Sequence, residues 1–148
     1  MACFNPKPCL AAALLVSSAS ALAGSVAPCD WVTLAQVKAA MGVDMNAGTP
    51  IFDTGCSWHG RAAKVSVTLS SQLASKWWAA IQAPIAPYVK TPASGIGDEA
   101  VYIKAGNLVW LSVKKGDRVL NVKVYGVSDE ATQESTESAL ALEALQKF

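Results

Sequence analysis

Residues 99 to 125 read EAVYIKAGNLVWLSVKKGDRVLNVKVY, a stretch in which apolar and polar residues alternate between glycine-containing turns. This alternation predicts three antiparallel strands. A two-residue turn at Gly116-Asp117 fixes the pairing of the last two strands. The aliphatic residues then face one another across the strands: Val113 with Leu120, Leu111 with Val122 and Val109 with Val124. One face of this meander is therefore aliphatic and is expected to meet the core.

A three-residue turn at 105–107 would extend the aliphatic face into the first strand, with Ile103 opposite Val109 and Val101 opposite Leu111. The second face then carries aromatic and cationic side chains in two rows. The rows are Tyr102, Trp110 and Lys123, followed by Lys104, Leu108 and Tyr125. Such a face could hold a glycan, a peptide or an anionic amphiphile. The alternative, which we favour, is that a helix covers it and makes it a second core layer.

The rest of the chain supplies three helices and two further strands. The first helix is expected from the capping residue Thr33 to Met41, with Gly42 ending it. Strands are predicted at 56–59 and 64–70, a second helix with an aromatic face from about Leu73 to Pro84, and a last helix from Ser128 or Asp129 onward. Segments 46–55 and 84–97 read as loops. The predicted order is α-β-β-α-β-β-β-α, an α+β domain with a mainly antiparallel sheet of about five strands.

The first 23 residues have the three parts of a secretory signal: Lys7, the apolar run 10–16 and the small-residue triplet Ala21-Leu22-Ala23. We expect cleavage after Ala23, a single domain over 24–148 and a periplasmic or secreted protein. Three serines interrupt the apolar run, so no stable membrane anchor is expected after cleavage. The balance of 12 basic and 11 acidic residues argues against a nucleic-acid partner.

The four cysteines divide between the leader and the exported domain. Cys3 and Cys9 lie in the leader, whereas Cys29 and Cys56 lie beyond it. In an oxidising compartment the second pair is expected to form one disulfide. A metal site is the alternative, but the chain has one histidine and no Cys-x-x-Cys motif, so we expect neither a metal nor a cofactor.

His59 is the only imidazole that could act as a catalytic base. It could form a nucleophilic triad with Ser57 or Ser94 and with Asp53. No Gly-x-Ser-x-Gly elbow is present, and a surface histidine is the simpler interpretation. We therefore expect no catalytic residues.

Three motifs carry a resemblance to a known group of proteins. They are Pro28-Cys29-Asp30-Trp31-Val32-Thr33 with Val37, then Cys56-Ser57-Trp58, then Gly95-Ile96-Gly97-Asp98-Glu99-Ala100. In this order they resemble bacterial secreted proteins and lipoproteins of unknown function. The resemblance implies an α/β sandwich related to the extracellular sensor domains of some bacterial kinases and to the PsbP-like fold. The chain lacks the acylated cysteine of the lipoproteins, and the group offers no catalytic residues to transfer.

These observations favour a non-enzymatic exported domain that binds a partner protein or a cell-envelope ligand, for example as an inhibitor or immunity protein. One alternative is a small hydrolase that uses His59. Another is a carrier of a small apolar ligand, which would need a closed cavity beside Trp77, Trp78 and Trp110.

Overall fold

The computed structural model describes residues 26–62 and 64–148. The predicted leader, with its cleavage after Ala23 and with Cys3 and Cys9, lies outside the described residues. In the described part, a short 3₁₀ turn at Pro28–Asp30 precedes three α-helices and seven strands. The helices are α1 (Leu34–Met41), α2 (Ala74–Gln82) and α3 (Glu130–Ala144). The strands are β1 (Thr49–Ile51), β2 (Gly55–His59), β3 (Ser66–Leu73), β4 (Val89–Ala93), β5 (Glu99–Ala105), β6 (Leu108–Lys115) and β7 (Arg118–Tyr125).

The strands form one antiparallel sheet in the order β1-β2-β3-β7-β6-β5-β4. The α+β class, the antiparallel sheet and the helix number are confirmed, but the described sheet has seven strands rather than about five. The two strands that the pattern missed, β1 and β4, form the sheet edges and contain Pro50 and Pro92. Proline cannot donate to a strand ladder and is tolerated mainly at edges. Both segments therefore looked like loops.

Helices α1 and α3 pack on the first face of the sheet and enclose the main core. The predicted pairs Val113–Leu120 and Leu111–Val122 are confirmed, and all four side chains are buried. The largest fully buried side chain on this face is Trp58 of β2. The alternation read from residues 99 to 125 thus locates the core correctly for β6 and β7.

The ends of α1 follow the predicted chemistry. The Thr33 hydroxyl accepts from the amide of Gln36, whose side chain accepts from the Thr33 amide in return. Gly42 ends the helix in the left-handed conformation, with a φ of 66°. Asp129 caps α3 by accepting from the amide of Thr132. Local sequence signals therefore define both helix starts.

The register between β5 and β6 differs from the prediction by one residue. The turn consists of Gly106 and Asn107 alone, and the left-handed φ of 63° at Gly106 suits a tight hairpin. Tyr102 consequently pairs with Leu111, and Lys104 with Val109. In this register Lys104 faces α3, and its ammonium pairs with Glu130 of that helix at the rim of the sheet.

The predicted Cys29–Cys56 disulfide is confirmed, with the two Cα atoms 5.0 Å apart. It ties the 3₁₀ turn before α1 to strand β2. No helix within residues 26–62 and 64–148 is both long enough and apolar enough to cross a membrane.

Candidate binding face

The second face of the sheet is divided by α2, which carries the chain from β3 to the opposite edge strand β4. The helix packs against β5 and β7 through a small apolar cluster: Ala74, Trp78, Val101, Ile103 and Val119. The indole nitrogen of Trp78 donates to the Glu99 carboxylate at 3.3 Å and holds the helix on the sheet. The expectation that a helix covers this face is met for one half only. On this face, within residues 26–62 and 64–148, no helix packs on β2, on the first residues of β3 or on the neighbouring ends of β6 and β7, although Trp110 borders the apolar cluster of α2.

A row of four side chains crosses this open half. The strand register aligns Trp110 with Lys123, Lys123 with Thr68 and Thr68 with Ser57. We call Trp110, Lys123, Thr68 and Ser57 the Trp110 row. Its members lie on four neighbouring strands, so the row is about 14 Å long at the usual spacing between strands. It contains an indole, an ammonium group and two hydroxyls, of which the Ser57 hydroxyl belongs to a buried residue at the end of the row.

Trp110 is the centre of an aromatic and cationic cluster at one end of the row. The Lys123 ammonium lies 5.3 Å from the centroid of the indole ring, within cation–π distance. Tyr88 meets the same indole edge to face, with ring centroids 5.7 Å apart. Tyr88 lies in the segment between α2 and β4 and is 43% exposed. The sequence pattern did not point to Tyr88, because a proline-rich segment has no periodicity that places its side chains.

A second row, formed by Tyr125, Ser66 and His59, lies beside the Trp110 row. Tyr125 and His59 are exposed. The Ser57 hydroxyl lies 3.3 Å from Nε2 of His59 and 3.3 Å from the Thr68 hydroxyl. The structure thus brings together two members of the predicted triad, but in the described residues no carboxylate hydrogen-bonds to the His59 ring.

The structure places two of the six predicted face residues on the other side of the sheet. The Tyr102 hydroxyl donates to the carbonyl oxygen of Glu134 at 3.0 Å and hydrogen-bonds to Ser138, both on α3. Desolvation in this position raises the pKa of Tyr102. Lys104 forms its ion pair with Glu130 on the same side. The prediction that these two residues share a face with Trp110 was wrong, because it rested on the shifted β5–β6 register.

The other four, Trp110, Lys123, Leu108 and Tyr125, do share the open half of the sheet. Leu108 lies half-buried at the start of β6. It borders a cavity of about 500 Å³ that Tyr125 also lines. A larger cleft of about 760 Å³ lies elsewhere, beside Trp31 and Phe52. Neither of these two cavities is lined by Trp77, Trp78 or Trp110.

Comparison of the chain with protein-family models, curated proteins and solved structures finds no match. The resemblance to bacterial secreted proteins and lipoproteins therefore stays a prediction. In the part of the chain that the structure describes, no group of three histidine, cysteine, aspartate or glutamate side chains is arranged to hold a metal ion.

A buried carboxyl group on α3 was not anticipated. Glu137 is fully buried, and its Oε1 accepts from the Val124 amide at 3.1 Å and from Gln133 Nε2 at 3.4 Å. Its Oε2 has no partner among the described residues. Burial raises the pKa of Glu137 to about 8, against an ordinary value of 4.5, so this side chain is mostly neutral at pH 7.

Gln133 and Glu137 explain why the ladder between β6 and β7 stops at Trp110 and Lys123. Gln133 Nε2 donates to the carbonyl oxygens of Val109 and Val124, at 2.9 and 2.7 Å. Val109 and Val124 would form the next pair of the ladder. Their backbone groups hydrogen-bond to Gln133 and Glu137 of α3 rather than to each other. Spacing along α3 would have placed both residues on its inner face, but sequence patterns do not indicate that polar residues replace strand hydrogen bonds.

Proposed function

We propose that this protein is a non-enzymatic exported domain that binds a partner protein or a cell-envelope ligand through the open half of its second sheet face. The observation that carries the proposal is the cluster of Tyr88, Trp110 and Lys123, which lies where the sheet surface emerges from under the apolar cluster of α2. Lys123 forms no ion pair with another described residue. Aromatic rings beside an unpaired cation are typical of binding surfaces.

Export is part of the proposal and has two lines of support. The first is the leader pattern of residues 1–23, and the second is the disulfide, since disulfides persist mainly in oxidising compartments. An inhibitor or immunity protein that acts on an envelope enzyme is one form of this proposal.

Chemical-shift mapping by NMR tests where binding takes place. Protein, glycan and lipid fractions of a bacterial envelope extract are titrated separately into the labelled protein. We expect one fraction to shift the signals of Thr68, Lys123 and the Trp110 indole, while signals of the outer face of α3, such as Leu142, stay constant. Shifts confined to α3, or no shift with any fraction, would contradict the proposal.

One observation favours a second candidate, a small hydrolase. Ser57 and His59 lie within 3.3 Å of each other on the same face of β2. A catalytic dyad of this kind also needs an accessible nucleophile, and Ser57 is only 8% exposed. Esterase and peptidase panels with the wild-type protein and with the variants Ser57→Ala and His59→Ala separate the two candidates. Activity that both substitutions abolish would replace the binding proposal with the hydrolase.

A further inference from the structure

The chemistry of the Trp110 row points to one class of ligand. We propose that the row binds an anionic glycan, such as a chain containing uronic acids, lying across strands β6, β7, β3 and β2. This inference rests on the proposed binding function and specifies the ligand of the same site.

The shape of the row suits an extended polymer. Its four members come from four adjacent strands and run at right angles to them, over about 14 Å. The strand β3 positions on either side of Thr68 carry the short side chains Ser66 and Ser70, while Tyr125 and His59 stand at the two ends of the neighbouring row. A surface row of this length can contact several successive sugar units of a glycan, whereas a compact ligand would require a deeper pocket.

The side chains of the row match the groups of a sugar. The half-buried Thr68 hydroxyl can donate and accept, as sugar hydroxyls do, and the largely buried Ser57 hydroxyl lies 3.3 Å from it and helps to position it. The half-exposed indole of Trp110 offers an apolar surface to the C–H groups of a sugar ring. Protein interfaces have a different composition, because serine is depleted in them and serine and threonine are rare among their energetic hot spots. The row therefore favours a glycan over a protein partner.

Charge decides between an acidic and a neutral glycan. Lys123 lies in the middle of the open half, and neither the Trp110 row nor the row of Tyr125, Ser66 and His59 contains a carboxylate. The nearest strand acid on this face, Glu99, is already engaged by Lys114 and Trp78. A carboxylate on the glycan would thus pair with Lys123 without repulsion from a neighbouring acid.

The experiment is an NMR titration with three probes of matched length. The probes are tetragalacturonate, its methyl ester and tetraglutamate. The charged glycan is expected to shift the signals of Thr68, Lys123 and the Trp110 indole and to bind less tightly at high salt. The ester keeps the sugar scaffold without the charge, and the peptide keeps the charge without the scaffold. Both are expected to bind at least about tenfold more weakly.

Two pairs of variants test the residues. Trp110→Ala and Lys123→Met are each expected to weaken tetragalacturonate binding about tenfold, a difference of roughly 1.4 kcal/mol. The matched controls Trp77→Ala and Lys76→Met change exposed residues of α2 outside the row and are expected to have no effect. If Trp110→Ala does not fold, Lys123→Met still tests the site. Control variants that weaken binding as much as the row variants would overturn the inference.

The three probes also separate this inference from the broader proposal. Equal binding of tetraglutamate or of the ester would overturn the anionic-glycan specificity. No binding of any probe, together with shifts of the same row by an envelope protein fraction, would overturn the glycan inference and leave the proposed function standing. No shift of the row with any probe or any fraction would overturn both.

Discussion

Replacement of Glu137 by glutamine should stabilise the protein in a manner that depends on pH. The neutral acid and the amide have nearly the same shape, and the side-chain oxygen of either can accept from the Val124 amide. Oε2 of Glu137 has no partner among the described residues, and the amide nitrogen of glutamine would occupy the same position. The two proteins therefore differ mainly in whether residue 137 can ionise.

The sign and size of the effect follow from the raised pKa of Glu137. The unfolded chain loses this proton near pH 4.5, whereas the folded protein keeps it up to about pH 8. Between these values the folded state binds more protons, so the stability of the wild type falls as the pH rises. Each pH unit costs about 1.4 kcal/mol, which amounts to roughly 3 kcal/mol at pH 7. Below pH 4.5 the effect disappears, and above pH 8 it stops growing.

Urea unfolding monitored by tryptophan fluorescence at pH 5, 6, 7 and 8 measures this difference. Relative to the wild type, Glu137→Gln should be more stable by a little under about 1 kcal/mol at pH 5 and by roughly 3 kcal/mol at pH 7. Glu143→Gln is the matched control on the same helix, because the Glu143 side chain is only half-buried and is not among the groups that shift the pKa of Glu137. It should follow the pH dependence of the wild type closely. A difference between Glu137→Gln and the wild type that stays constant from pH 5 to 8 would refute the reasoning, because Glu137 would then be ionised throughout.

Two further predictions concern the Cys29–Cys56 disulfide and the observed register between β5 and β6. Replacing Cys29 and Cys56 together by serine should lower the free energy of unfolding by about 3.5 kcal/mol, since the disulfide closes a loop of 27 positions. Mass spectrometry of the exported protein should give an intact mass two hydrogens lower than that of the reduced chain. Two free thiols in the exported protein would disprove the disulfide. Tyr102→Phe removes the hydrogen bonds to α3 and should cost about 1 kcal/mol in urea unfolding, whereas Tyr125→Phe should change little. Equal effects of the two tyrosine substitutions would argue against the observed register.

The predicted parts of the fold are those with strong local signals. The capping residue Thr33 and the terminating Gly42 defined α1, and strict alternation defined β3, β6 and β7. The cysteine pairing followed from the number of cysteines beyond the leader. In each case a few neighbouring residues carry the whole signal, so no tertiary information was needed.

The errors have physical causes in tertiary structure. Strands β1 and β4 contain proline and gain their hydrogen bonds from one neighbour only, so their sequences resemble loops. The β5–β6 register depends on whether Ala105 belongs to the turn or pairs with Leu108 as the last residue of β5. Only the second register turns Tyr102 and Lys104 toward α3, where they contact Glu134 and Glu130. A local pattern cannot evaluate those contacts.

The candidate face was predicted in part. Trp110, Lys123, Leu108 and Tyr125 share it because their strand positions were assigned correctly, and Tyr88 joins it from a segment without periodicity. Helix α2 covers only one half of the second face because it lies in the connection that takes the chain from β3 to β4 at the far edge of the sheet. The position of β4 at the far edge was not visible in the sequence.

The central claim is that the open half of the second face binds a component of the cell envelope. Site-specific photo-crosslinking in living cells tests it most directly, with a benzophenone-bearing residue in place of Tyr125 on the open face or in place of Leu142 on the outer face of α3. We predict a discrete adduct from position 125 that is lost when Trp110→Ala is added, and none from position 142. The same adduct from both positions, or no adduct from position 125, would contradict the claim.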